Sequence, residues 1–152
     1  MKKRMKVYIG ADHAGFEVKE KLKKYFDKEK IEYEDMGGIG DKTDDYPEFA
    51  FKVGKKVANE EGARGVLVCG SGTGMAIAAN KVKGVRAVAA YDNYSAKMSR
   101  KDNDSNVLCL RGRGGDYGKD LKLTKAWLDE DFSGEDRHQR RIRKIREFEE
   151  GR

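Results

Sequence analysis

The sequence predicts a doubly wound α/β fold, with a five-stranded parallel sheet and helices on both of its faces. Short, nearly continuous apolar runs alternate with segments of helical periodicity, which is typical of buried parallel strands and their crossover helices. No linker or low-complexity stretch divides the 152 residues, so we expect residues 1–152 to form a single domain with a full core.

Five apolar runs are predicted to be the strands, and each ends near a glycine or a polar residue. They cover residues 6–10, 31–36, 65–69, 85–90 and 106–110. Between and after them, apolar residues recur at helical spacing and predict six helices. These helices cover residues 14–29, a segment that begins at 47, and residues 75–82, 95–101, 119–128 and 135–149.

The second helix has the clearest start signal. Pro47 is the only proline of the chain, and proline is favoured in the first turn of a helix. Asp44 and Asp45 precede it and are predicted to be caps or first-turn acids, because negative charge is stabilised at a helix N-terminus.

Composition limits the classes of function. The net charge of +6 is concentrated in residues 2–4 and 137–146, but no nucleic-acid-binding motif accompanies it. We therefore expect no nucleic-acid partner, and we attribute the charge to a small phosphorylated ligand and to solvated helix faces. Cys69 and Cys109 lack metal-ligand spacing, so no metal site is expected. We find no signal peptide and no membrane-length apolar run, and therefore expect a cytoplasmic protein without membrane contact.

The most informative segment is an apolar strand that runs into Cys69, then a glycine-alternating loop at residues 70–74, then an alanine-rich helix. Glycines at 70, 72 and 74 let the backbone turn sharply and approach a ligand closely. The N–H groups of such a loop form an anion site, and the helix field favours a thiolate at its rim. A base beside an oxyanion site suits proton abstraction next to a carbonyl. The alternative is a tight turn with a buried, inert cysteine.

Position in the predicted sheet favours the functional interpretation. Ligands of doubly wound folds bind at the carboxyl ends of the strands. Asp12 and His13 follow the first predicted strand, and Cys69 with its glycine loop ends the third. The loop has no GxxxxGK[ST] sequence, which argues against a mononucleotide site.

Seven segments, taken in order, resemble the B-type ribose-5-phosphate isomerases, in the family that also contains the galactose-6-phosphate isomerase subunits. They are GADHAGF at 10–16, DYP at 45–47, CGSGTG at 69–74, IAANK at 77–81, GVRA at 84–87, NDSNVL at 103–108 and RHQRR at 137–141. Each segment alone is weak, whereas their order and spacing over nearly the whole chain are specific.

The resemblance implies a cofactor-free aldose–ketose isomerase that interconverts ribose 5-phosphate and ribulose 5-phosphate through a cis-enediolate. It also implies a homodimer of Rossmann-like subunits with two active sites between them, the C-terminal helix at the interface, and either a dimer or a tetramer of paired dimers. Two other functions stay open. One is isomerisation of another phosphosugar, a tetrose 4-phosphate or a hexose 6-phosphate, and the other is non-catalytic binding of a phosphosugar.

The resemblance also implies roles for individual residues. Cys69 is the base that takes the carbon-bound proton. One branch of the family uses a glutamate six positions later, but Met75 stands there and cannot accept a proton. The backbone of Gly70, Gly72, Thr73 and Gly74 would donate N–H groups to the enediolate oxygens. The Ser71 hydroxyl would relay or orient a proton.

The remaining site residues would bind the substrate. Asp12 and His13 would contact the sugar hydroxyls and the phosphate region, and Tyr46 would border the sugar. On one face of the last helix, Arg137 and Arg141 lie four residues apart and suit a phosphate dianion. Two further residues, Asn103 and Arg113, are expected to reach the site from across the dimer interface.

One departure from the family pattern concerns ring opening. Isomerases of this type carry a histidine just before the matched asparagine, and that histidine opens the furanose ring. Here the position is Asp102. Three accounts stay open: Asp102 acts as a base, His13 or water opens the ring, or the substrate is a tetrose 4-phosphate, which cannot close a furanose ring because its O4 is esterified.

Overall fold

A computed structural model describes residues 5–151 and confirms the doubly wound α/β fold. The predicted basic cluster at residues 2–4 lies outside the described part of the chain. Five parallel strands form one sheet in the order β2-β1-β3-β5-β4. The strands are β1 (Lys6–Ala11), β2 (Glu32–Asp35), β3 (Arg64–Cys69), β4 (Ala87–Val88) and β5 (Val107–Arg111).

Six helices connect and flank these strands, as the sequence predicts. They are α1 (Phe16–Lys28), α2 (Tyr46–Asn59), α3 (Thr73–Ala79), α4 (Asn93–Asn103), α5 (Tyr117–Asp129) and α6 (Asp136–Glu150). Within residues 5–151, no helix is both long and apolar enough to cross a membrane.

The helices cover both faces of the sheet. On one face, Val66 and Val68 of β3 pack in a cluster with residues of α1, α4 and α5, and fully buried Trp127 is its largest side chain. On the other face, Leu67 and Cys69 pack in a cluster with α2 and α3. The alternation along β3 therefore divides two hydrophobic cores, because successive strand residues point to opposite faces.

The edge strand β4 is shorter than predicted, two residues instead of six. Its backbone is paired with side chains as well as with β5. The Asn80 amide donates to the Ala87 carbonyl at 3.0 Å and accepts from the Ala87 N–H at 2.8 Å. The Arg86 N–H donates to Asn106 Oδ1 at 2.7 Å. These contacts satisfy backbone groups that a longer strand would offer to a neighbour.

Two helix starts also differ from prediction. Helix α3 begins at Thr73, two residues early, because Gly72 takes a left-handed conformation (φ 82°) at the N-cap. Of the two predicted caps or first-turn acids of α2, Asp45 occupies the N-cap position but its side chain makes no capping bond. The Asp44 carboxylate instead binds His13.

Helix α6 packs across the end of α4, with Ile142 buried. Farther along the helix, Ile145 is 53% exposed and Phe148 is 76% exposed. These two side chains line an apolar groove of about 470 Å³ that also includes Val85 and Val88. An exposed apolar surface of this kind is typical of a protein interface.

Candidate functional site

A cleft of about 690 Å³ lies at the carboxyl ends of β1, β3 and β5. It is lined by Asp12, Tyr46, Cys69, Gly70, Ser71, Thr73, Gly74, Arg111 and Arg113. Strand register explains why these residues meet. Ala11 pairs with Val68, and Cys69 pairs with Arg111, so the residues that follow three adjacent strands lie side by side.

Cys69 ends β3 at the floor of the cleft and is 4% exposed. Its Sγ accepts a hydrogen bond from the Gly72 N–H at 3.2 Å, a contact that stabilises negative charge on sulfur. Cys109 lies one strand away, and burial, reinforced by the charge of Cys69, raises the pKa of its thiol well above the ordinary value. Of the two free cysteines, only Cys69 lines the cleft.

The glycine loop is shaped by two close approaches. Gly72 has a φ of 82°, and a Cβ there would lie 3.1 Å from the Leu110 carbonyl carbon. Gly74 lies under the ring of Tyr46, and a Cβ there would lie 2.8 Å from the Tyr46 Cζ. Gly72 is therefore required for its backbone conformation, whereas a side chain at position 74 would have to displace the Tyr46 ring.

The side chains of the loop bond to each other. The Ser71 and Thr73 hydroxyls lie 2.7 Å apart, and the Thr73 N–H donates to Ser71 Oγ at 3.3 Å. Both residues are exposed at the cleft. The role of Ser71 as a proton relay stays a prediction, since its hydroxyl is bonded to Thr73.

Asp12 holds the turn between β1 and α1. Its Oδ1 accepts hydrogen bonds from the Ala14 and Gly15 N–H groups at 3.0 and 3.1 Å. The side chain is buried, yet it lines the cleft. Its carboxylate is thus fixed in direction before a ligand arrives.

His13 is held between Asp44 and Arg113. Its Nδ1 lies 2.9 Å from Asp44 Oδ1, and its backbone N–H donates to the same oxygen at 3.0 Å. The Arg113 guanidinium lies 3.4 Å from the ring Nε2. Because a guanidinium only donates, Nε2 accepts and the ring proton lies on Nδ1. Asp44 thus contacts His13, which contacts Arg113, and Arg113 lines the cleft.

Arg113 belongs to the cleft of its own chain. Its N–H donates to the Gly70 carbonyl at 3.1 Å, and the N–H of Gly112 donates to the Cys69 carbonyl at 2.7 Å. Pairing between β3 and β5 thus continues past the strand ends and carries Arg113 to the glycine loop. The expectation that Arg113 also reaches a partner's site across an interface stays a prediction.

Six predicted site residues do not line this cleft. Two of them touch residues that do: the Gly72 N–H donates to Cys69 Sγ, and the His13 ring lies beside Arg113. Asp102 and Asn103 lie at the end of α4, while Arg137 and Arg141 lie on α6. Asn103 lines the apolar groove beside β4. The two arginines share one helix and are exposed, but Arg137 Nε already bonds Glu135 at 2.9 Å.

The structure adds residues that the sequence interpretation missed. Arg111 lines the cleft because β5 extends one residue beyond the predicted 106–110. If the sequence interpretation had ended β5 at Arg111, the pairing of this residue with Cys69 would have placed it at the cleft. Asp44 binds a histidine 31 residues away, and no local pattern signals such a contact. Among residues 5–151, no group of three or more His, Cys, Asp or Glu side chains could hold a metal ion.

Comparison with known proteins agrees with the geometry. The sequence profile described as ribose/galactose isomerase matches residues 7–145. A ribose-5-P isomerase B of Listeria innocua is 40% identical over 130 residues, which are 86% of this chain and 88% of that protein. A D-erythrulose-4-phosphate isomerase 2 of Mycolicibacterium smegmatis is 42% identical over 132 residues, 84% of this chain and 86% of that protein.

Among solved structures, ribose-5-phosphate isomerase B of Mycoplasma genitalium with bound ribulose-5-phosphate superposes with a TM-score of 0.91. It is 37% identical and covers 96% of this chain and 97% of that chain.

Proposed function

Because the chain belongs to the ribose/galactose isomerase family, we propose that it interconverts ribose 5-phosphate and ribulose 5-phosphate, with Cys69 as the base. The protein is a sugar-phosphate aldose–ketose isomerase. The observation that carries the proposal is a free thiol at the floor of a cleft, beside backbone N–H groups and a fixed carboxylate.

The reaction moves one proton between neighbouring carbons. The Cys69 thiolate takes the proton from C2 of the open-chain aldose, and the electron pair of the broken C–H bond forms the enediolate. Backbone N–H groups of residues 70–74 stabilise the negative charge on O1, a contribution that is on the order of a few kcal/mol per donor in comparable sites. The proton of the O2 hydroxyl then passes to O1, the thiol returns its proton to C1, and the ketose carbonyl forms at C2.

Charged residues at the rim suit the rest of the substrate. Asp12 accepts from sugar hydroxyls, because its carboxylate lines the cleft and its direction is fixed by Ala14 and Gly15. Arg111 and Arg113 place two guanidinium groups at the same cleft, where an anionic phosphate is attracted.

The decisive assay follows ribulose 5-phosphate formation by purified protein supplied with ribose 5-phosphate. Cys69→Ala is expected to abolish turnover while substrate binding persists. Cys109→Ala is the matched control and retains turnover, since that thiol lies outside the cleft. Binding without turnover in the wild-type protein would instead support a phosphosugar-binding protein.

A second substrate is favoured by a specific residue. Asp102 stands where family members carry the ring-opening histidine, and a tetrose 4-phosphate needs no ring opening. A relative from M. smegmatis is named an erythrulose-4-phosphate isomerase. Turnover measured across four-, five- and six-carbon aldose phosphates separates the candidates. If Asp102→His raises turnover of ribose 5-phosphate alone, the missing ring-opening group limits that substrate.

We also propose a homodimer in which Asp102, Asn103, Arg137 and Arg141 complete the partner's cleft. None of them lines the cleft of its own chain, and exposed Ile145 and Phe148 lie on the same helix as the arginines. Light scattering distinguishes the dimer from the tetramer and the monomer.

Subunit mixing tests the shared site. Subunits carrying Cys69→Ala are mixed with subunits carrying Arg137→Ala and Arg141→Ala. In a mixed dimer one site receives both defects and the other receives none. We therefore expect activity to reappear, at roughly a quarter of the wild-type level for random mixing of independent sites. No recovery from mixed dimers would mean that the arginines serve their own subunit.

We place the protein in the cytoplasm, because the chemistry needs Cys69 as a free thiol and a reducing compartment maintains it.

A further inference from the structure

The chain contains two histidines, and only one of them lies near the cleft. The ring nitrogens of His13 contact Asp44 and Arg113. The other, His138, is 4% exposed and has no part in the chemistry described so far. A buried imidazole needs partners for both ring nitrogens, since an unpaired buried polar group is costly.

The partners of His138 connect it to Asp102. His138 Nε2 lies 3.5 Å from Asp102 Oδ1, and His138 Nδ1 lies 2.6 Å from Ser133 Oγ. The Ser133 N–H donates to the Lys101 carbonyl at 3.0 Å, directly before Asp102 in the chain. The end of α4, the turn at Ser133 and the first turn of α6 are thus joined in a closed ring of contacts.

The direction of these bonds can be assigned. Ser133 Oγ accepts from the Glu135 N–H at 3.2 Å, and its own hydrogen is available to His138 Nδ1. An ionised carboxylate only accepts, so the contact between Nε2 and Asp102 is favourable when the imidazole proton is on Nε2. In that tautomer the N–H of His138 faces the carboxylate at 3.5 Å. The Asp102 side chain is 40% exposed, so it can touch a ligand while His138 stays buried behind it.

We propose that Asp102 opens the furanose ring of the sugar in the partner's cleft, and that His138 is the residue that positions Asp102 for this step. The inference rests on the proposed isomerase function. The Asp102 carboxylate takes the proton of the anomeric O1 hydroxyl, the C1–O4 bond breaks as the C1–O1 double bond forms, and the carboxyl group returns the same proton to O4. No proton is gained or lost overall.

His138 contributes by fixing the carboxylate. Its N–H directs one carboxyl oxygen toward the helix, which turns the other oxygen outward for the proton transfer. A residue that acts through Asp102 should matter only when Asp102 has a ring to open.

The test compares His138→Leu with His138→Gln on two substrates. Leucine removes the N–H that faces Asp102, whereas glutamine keeps a donor at about the same reach. For His138→Leu we expect kcat on ribose 5-phosphate to fall about tenfold, because Asp102 loses the polar group that faces it at 3.5 Å. Activity on erythrose 4-phosphate, which has no furanose ring, stays within about twofold. His138→Gln recovers most of the kcat on ribose 5-phosphate.

A double-mutant comparison supplies a second measurement. In an Asp102→Asn background, His138→Leu should cause no further loss on ribose 5-phosphate, since both changes interrupt the same step. Equal losses on both substrates, or additive losses in the double mutant, overturn the role of His138 and leave the isomerase proposal intact. Wild-type protein that converts neither substrate contradicts the proposed function itself.

Discussion

Replacing Gly74 by alanine tests whether Tyr46 borders the substrate. The new Cβ would lie 2.8 Å from Cζ and 2.9 Å from Cε2 of the Tyr46 ring. Carbon atoms in contact settle about 3.5–4.0 Å apart, so the ring must move by roughly 0.7 Å or more. Tyr46 is 39% exposed, and its ring can therefore swing toward solvent without disturbing the core.

The substitution should separate binding from stability. Alanine is favoured over glycine in a helix by up to about 1 kcal/mol, so the free energy of unfolding should change by no more than about that amount. A displaced ring loses its contact with the sugar, which is worth about 1–1.5 kcal/mol for one hydrogen bond. That loss corresponds to a rise in KM of about tenfold.

Gly72→Ala is the contrasting control. At a φ of 82° and 3.1 Å from the Leu110 backbone, an alanine has neither the conformation nor the space. We expect it to lose about 1–2 kcal/mol from the left-handed backbone alone. Urea unfolding and steady-state kinetics with ribose 5-phosphate measure both variants. An unchanged KM in Gly74→Ala would refute the role of Tyr46, and strong destabilisation would refute the argument from packing.

Three further substitutions test one contact near the cleft and two charged groups that stabilise the fold. Asp44→Ala should lower kcat/KM by about 10- to 100-fold through loss of the charge-assisted bond to His13, while Asp45→Ala, whose side chain makes no capping bond, should match wild type. Lys19→Met should lower the free energy of unfolding by about 3 kcal/mol, because the buried ammonium bonds Asp35 at 3.0 Å and the Gly38 carbonyl at 2.6 Å; an unchanged urea midpoint would contradict this. Burial alone would raise the pKa of Asp35. Hydrogen bonds from Lys23, the Gly37 N–H and Lys19 outweigh burial, and the pKa therefore lies below its ordinary value of 3.8. The ionised carboxylate therefore stabilises the fold above that value and loses its contribution as the pH falls through the lowered pKa. The difference in urea midpoint between wild type and Asp35→Asn should shrink from pH 6 to pH 3, and a constant difference would exclude this linkage.

The fold and the centre of the site follow from local sequence patterns. Apolar runs and helical spacing predicted every strand and helix, because burial on both faces of a parallel sheet leaves a strong periodic signal. Cys69, Asp12 and the glycine loop were predicted together because each follows a strand, and parallel strands end at one edge of the sheet. Their positions need no knowledge of distant contacts.

Other features depend on contacts between distant parts of the chain. The length of β4 depends on amides of Asn80 and Asn106, which compete for its backbone. Asp44 resembled a helix cap from its neighbours but binds His13 across a gap of 31 residues. The position of His138 behind Asp102 requires α6 to cross the end of α4. Local patterns carry no information on such crossings.

The most direct test of the account measures carbon–hydrogen cleavage itself. Ribose 5-phosphate deuterated at C2 is incubated with wild-type, Cys69→Ala and Cys109→Ala protein, and loss of deuterium from C2 is followed by NMR. We expect rapid loss with wild type and Cys109→Ala, and none above background with Cys69→Ala, although that variant still binds the sugar. Deuterium loss at the wild-type rate in Cys69→Ala would show that another group takes the proton.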